Sequence, residues 1–137
     1  MRKVLFPFLL LLIFLISFVG CSNGYGVTTV ELGEQFTLSP GESSKIVKED
    51  LTITFEKVTG DSRCPNNAVC VWAGEAVISI TFEKDNVTYP LELKEPGTAD
   101  KAVEVFMDYT LNFHLEPYPE AGVEVSPDYS LIMSVTK

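Results

Sequence analysis

The strongest constraint on this chain is a repeat of two. In LTITFEKV (51–58), Leu51, Ile53 and Phe55 alternate with Thr52, Thr54 and Glu56; in EAVISITFE (75–83), Ala76, Ile78, Ile80 and Phe82 alternate with the residues between them. That period lines one face of an extended strand and cannot line one face of a helix. It returns in VTTVEL (27–32), QFTL (35–38), SSKIV (43–47) and VTYPLELK (87–94). It returns again in YTLNFHLE (109–116), with Leu111, Phe113 and Leu115 facing in, and in YSLIMSVT (129–136), with Leu131, Met133 and Val135 facing in. AVEVFM (102–107) reads as a strand whose facing the pattern does not decide. Turn formers punctuate the runs, among them SPGE (39–42), KDN (84–86), EPGTAD (95–100) and PYPEAG (117–122). From Val27 onward no stretch keeps helical spacing for three turns. Eight or nine short strands with one apolar face each are buried most simply by two antiparallel sheets packed face to face. The expected fold is therefore all-β, an antiparallel β-sandwich of immunoglobulin-like or related topology, with a small β-barrel as the alternative. Pro90 cannot donate to a ladder, so VTYPLELK is expected at a sheet edge.

Residues 1–20 stand apart from this pattern. Arg2 and Lys3 precede an apolar run from Val4 to Val19, followed by Gly20 and Cys21, the layout of an export signal. The run is shorter than the roughly 20 residues that span a hydrocarbon core. Phe18, Val19, Gly20 and Cys21 resemble the lipobox of bacterial lipoproteins, although leucine is commoner where Phe18 stands. The resemblance implies cleavage before Cys21 and acylation of that cysteine, and two or more acyl chains give stable membrane attachment. The expected organisation is a signal peptide over 1–20, a lipidated tether over 21–26 and a single domain over 27–137. SNGYG (22–26) is polar and glycine-rich and reaches only about 12 Å as a random coil, so the domain sits close to its membrane.

Arg2 and Lys3 are the only charges in the signal, so residues 21–137 carry 8 basic and 19 acidic groups, a net charge of −11. Such a domain is repelled by nucleic acid and by anionic lipid. Nucleic acid is excluded as a partner on this ground, and the domain is expected to stand off the membrane to which Cys21 ties it.

The chain has 3 cysteines. With Cys21 acylated, Cys64 and Cys70 remain as a pair, which an oxidising compartment joins as a disulfide. The loop it closes is short, and loop-closure entropy assigns it about 2.4 kcal/mol. Structural zinc sites pair cysteines two to four residues apart and need four ligands. Here the spacing is wider and His114, on the polar face of its strand and expected to be solvated, is the only other soft ligand. Neither a redox CxxC pair nor a base beside a nucleophilic cysteine is evident, and no calcium loop appears. No metal or cofactor is expected.

Both cysteines fall in VTGDSRCPNNAVCVWAG (58–74), which also holds Trp72, the chain's single tryptophan, and Arg63, the only arginine beyond the signal. Asp61, Ser62, Arg63, Cys64 and Pro65, followed by Cys70, Val71, Trp72, Ala73 and Gly74, resemble the motif of a group of small secreted or lipid-anchored bacterial proteins, as does the later Pro117, Tyr118, Pro119 turn. The resemblance implies location and fold and brings no activity with it. Trp72 lies two residues from Cys70 and four from Ala76, so regular pairing puts all three on the inward face, with the ring against the disulfide or the lower core. The other reading exposes the ring for stacking on a ligand. Arg63 either lies over that ring or pairs with Asp61 or Glu75, and as a salt bridge it is structural rather than a ligand contact. Arg63, Trp72 and Tyr118 are the candidate binding residues.

No GxSxG, HExxH, phosphate loop or Ser, His, Asp set is present, and the chain reads as no enzyme. The leading expectation is a lipid-anchored binding or accessory domain at the extracytoplasmic face of a bacterial membrane, with an envelope protein as a further partner. Two alternatives remain. One is a protease inhibitor, since inhibitors of the chagasin type resemble this chain in size and sheet content, although their NPTTG loop is absent. The other is a structural component of the envelope.

Overall fold

A computed structural model describes residues 26–98, 101–123 and 128–137; the signal over 1–20 and Cys21 lie outside the described residues. Nine strands follow in order: β1 Val27–Val30, β2 Gln35–Leu38, β3 Ser43–Ile46, β4 Leu51–Asp61, β5 Glu75–Lys84, β6 Val87–Pro96, β7 Ala102–Phe106, β8 Tyr109–Glu116 and β9 Ser130–Thr136. They form a five-stranded sheet, β1-β3-β4-β5-β6, and a four-stranded sheet, β2-β9-β8-β7. The result is a nine-stranded β-sandwich, and the sheets do not close into a barrel. Every pair is antiparallel except β1 with β3, which run parallel because β2 crosses to the other sheet between them.

The inward positions read from the alternation are the core. Leu51, Ile53, Phe55, Ala76, Ile78, Ile80 and Phe82 from one sheet meet Tyr109, Leu111, Phe113, Leu115, Leu131, Met133 and Val135 from the other, all buried. β6 is an edge strand, with Pro90 opposite Thr81 and no partner beyond it among the described residues. Asp85 and Asn86 both take positive φ, the geometry of a two-residue hairpin whose twist matches its strands. β7, undecided in the sequence, is an edge of the four-stranded sheet, with Ala102 inward and Val103 and Val105 exposed.

Two irregularities shape the end of the sandwich that matters most. β4 shifts register between Phe55 and Lys57 and again between Val58 and Gly60. The inward series on β4 thus runs Ile53, Phe55, Val58, Asp61, opposite the inward Phe82, Ile80, Ile78 and Ala76 of β5. A carboxylate is thereby turned into the sandwich. β6 also runs on through Glu95, where a loop was expected, and the inward series Leu91, Leu93 ends with Glu95 fully buried.

Candidate functional site

β4 and β5 are joined by residues 62–74, which sit at one end of the sandwich. The foot of this loop is laced to itself: Ser62 N donates to Glu75 O at 2.9 Å and Cys64 N to Ala73 O at 2.7 Å. Farther out, Cys64 and Cys70 are joined in a disulfide with their Cα atoms 5.9 Å apart. Two glycines allow the close approach. Gly74 has φ +71°, and a Cβ there would lie 1.7 Å from Ser62 O; a Cβ at Gly97 would lie 2.1 Å from Ala73 O. The β6–β7 turn therefore lies flat against the loop, with Gly97 N donating to Gly74 O at 2.9 Å.

Beneath the loop Arg63 is 2% exposed. All five of its side-chain N–H donors have partners. Nε and Nη2 donate to the two oxygens of Asp61 at 2.9 and 2.7 Å, Nη2 also to Pro117 O at 3.1 Å, and Nη1 to Leu115 O at 2.8 Å and Glu95 Oε2 at 3.5 Å. The guanidinium lies over the Tyr118 ring, 4.8 Å from its centroid, and the Tyr118 hydroxyl donates to Gly97 O. One side chain thus ties together the ends of β4, β6 and β8 and the segment after β8. Burial alone draws the guanidinium pKa down; its bonds to Asp61 and the charges of Asp61 and Glu95 outweigh that and leave it raised. The Tyr129 hydroxyl donates to Asp61 Oδ2 at 3.3 Å, and its pKa is raised by burial first and by the Asp61 charge next.

Glu95 extends this network. Its Oε2 accepts from Leu115 N at 2.9 Å and its Oε1 meets His114 Nδ1 at 2.5 Å. His114, expected to be solvated, is held by a buried carboxylate, because its strand passes over the end of β6. The depression beside it, lined by Gln35, Asn112 and Ser134 among others, measures about 30 Å³, room for about one water.

Three sequence-derived candidates thus take unequal places. Arg63 and Tyr118 come together, as a cation over a ring, but both are spent inside the fold: Arg63 pairs with Asp61 as expected, with Glu95 in place of Glu75, and stacks on Tyr118 in place of Trp72. Trp72 corrects the expectation of an inward ring, being 70% exposed. Counting by twos from Ala76 fails because β5 begins only at Glu75 and the positive φ of Gly74 turns the chain before it.

From Ala68 to Trp72 what the loop offers outward is apolar. Val69 and Val71 are fully exposed, beside Trp72. An open groove of about 330 Å³ runs between the disulfide, Val71 and Trp72 on one side and Gly97 and Thr98 on the other. The PYPEAG turn, which carries Tyr118, packs beside this loop: Asn66 N donates to Pro119 O at 3.1 Å and Ala121 N to Asn67 Oδ1 at 2.6 Å. No family model, curated protein or solved structure matches the chain. The site therefore has to be read from its own chemistry.

Sequence reasoning missed Glu95, Val69 and Val71. The first could have been found by continuing the alternation of β6 past Leu93. The valines were visible as apolar residues in a segment too rich in turn formers to bury them.

Proposed function

We propose that this chain is an exported domain, lipid-anchored through Cys21 to the extracytoplasmic face of a bacterial membrane, that works by contact and not by catalysis. Its contact surface is the end of the sandwich carrying residues 62–74. The observation that supports this reading is the pairing of a fixed base with an apolar tip. The disulfide and the Arg63 network hold the loop, and Val69, Val71 and Trp72 stand out from it. Exposed apolar side chains grouped on one loop mark interaction surfaces. A loop already held in one shape has little ordering entropy left to lose on contact, and recognition commonly resides in loops carried on rigid scaffolds.

The test has two arms. Mass spectrometry of the native product reads the acyl chains on an amino-terminal Cys21 and the bonded sulfurs of Cys64 and Cys70; a product that begins at Met1 rules out the anchor. A photoreactive residue placed at position 71, compared with one at position 108 at the opposite end, reads the contact surface in intact cells. Adducts concentrated at 71 support the reading, and equal yields at both positions refute it.

A further inference from the structure

We infer that the tip formed by Val69, Val71 and Trp72 docks into the lipid–water interface of the membrane that carries the protein. This rests on the anchored reading above and names what its contact surface meets.

The two ends of the sandwich differ in charge. At the end opposite the loop, Lys48, Glu49, Asp50, Lys84, Asp85, Asp108 and Lys137 crowd the turns in a set of ion pairs: Lys84–Asp85 at 3.1 Å, Lys137–Glu49 at 3.1 Å and Lys137–Asp108 at 3.2 Å. At the loop end, residues 64–74 and 96–98 carry no charge, and Lys101, Glu116, Glu120 and Asp128 stand around them. Net charge of −11 over residues 21–137 keeps the molecule as a whole away from anionic lipid. The tip, uncharged over residues 64–74, is itself free of that penalty. It also carries the exposed tryptophan. Tryptophan favours the headgroup level, where its ring is apolar and its N–H stays wet.

The start of the domain sets the same orientation. β1 runs parallel to β3 and so opposite to β4, whose far end leads into the loop. The chain therefore enters β1 from the loop side. Val27 is level with Ser43 and, through it, with Thr54, seven residues short of Asp61 along β4. Cys21 precedes Val27 by six residues, a reach of at most about 20 Å. That reach bounds an acylated Cys21 to no farther out than about the level where β4 ends, with the loop tip beyond that level. The short link holds the tip close to the bilayer, so a modest intrinsic affinity suffices for docking.

Trp72 is the only tryptophan, so its fluorescence reports this site alone. The full lipidated protein is reconstituted into phosphatidylcholine–phosphatidylglycerol vesicles with or without brominated acyl chains and floated on a gradient. Expected for protein that floats are a blue-shifted emission, loss of intensity with brominated lipid, and protection from acrylamide. Val71→Glu, at a fully exposed position, abolishes the bromine quenching without changing flotation or melting temperature. Floating protein whose Trp72 ignores brominated lipid and is open to acrylamide overturns the docking and leaves the anchor standing. Protein that does not float overturns the anchor and the docking with it. Shielding of Trp72 that requires added envelope extract overturns lipid in favour of a protein partner.

Discussion

Replacing Arg63 by methionine removes every donor of the guanidinium while keeping much of its apolar stem. Left behind are the Asp61 carboxylate, whose side chain is 7% exposed, the Glu95 carboxylate, at 0%, and the carbonyls of Leu115 and Pro117. Removing one partner of a buried charge cluster costs about 3–5 kcal/mol, because the remaining charge has neither water nor partner. For a domain of this size about 4 °C of melting temperature accompanies each kcal/mol, so calorimetry at pH 7 should show Arg63→Met melting about 12–20 °C below the parent. Arg63→Lys keeps the charge but offers three donors where five are used, and a point charge does not replace a fork; it should fall between. Neutralising the stranded acid with Glu95→Gln in the Arg63→Met background should restore part of the loss, so that the two substitutions are not additive. A single variant within about 4 °C of the parent, or strict additivity in the double variant, would refute the assignment of Arg63 as the knot of this end of the fold.

Three further outcomes are expected. The double variant Cys64→Ser/Cys70→Ser should lose about 2.4 kcal/mol in denaturant unfolding yet keep a single cooperative transition, since the sulfurs take no part in the Arg63 bonds; a non-cooperative transition contradicts this. Ser44 is fully buried and its hydroxyl has no hydrogen-bond partner among the described residues, so Ser44→Ala should raise stability by about 1 kcal/mol, and a loss of stability would point to a partner for that hydroxyl. Glu49 has its pKa lowered from 4.5, first by the Tyr109 hydroxyl at 2.6 Å and then by Lys137. A lowered folded pKa gives stability that is fully present above pH 4.5 and disappears as the pH falls through the folded value. Glu49→Gln should thus be the less stable protein at pH 7, and the gap should close below about pH 4.5; a gap independent of pH argues against the contact.

The strands were legible because burial and period coincide. A side chain between two sheets must be apolar, its neighbour must not be, and this yields Leu51, Ile53, Phe55 and their counterparts on β5, β8 and β9. The edge place of β6 followed from one missing N–H at Pro90. The disulfide followed from counting thiols. Beyond these, the alternation fails where the backbone departs from a ladder. At Trp72 a left-handed glycine separates the residue from β5, so its parity relative to Ala76 carries no information. On β4 two bulges move the inward face from odd to even and back, and Asp61 points inward for that reason. Buried polar residues are hard to find for a different reason. Asp61 and Glu95 look like surface residues one at a time, and only Arg63, two residues beyond Asp61 and set against the end of β6, makes their burial tolerable.

The same arginine explains how so small a domain can expose a cluster of apolar side chains. An unpinned loop with two valines and a tryptophan would fold back and cover them against the end of the sandwich, at little cost in loop entropy. Here that space is already filled. The guanidinium, the Tyr118 ring and the Glu95 carboxylate occupy the end of the core, Gly97 lies against Ala73, and the disulfide closes residues 64–70 on themselves. A collapsed loop would have to displace a bonded cation and two carboxylates. Burying the tip within the fold is therefore costlier than leaving it exposed, and its apolar surface stays available to whatever the domain meets.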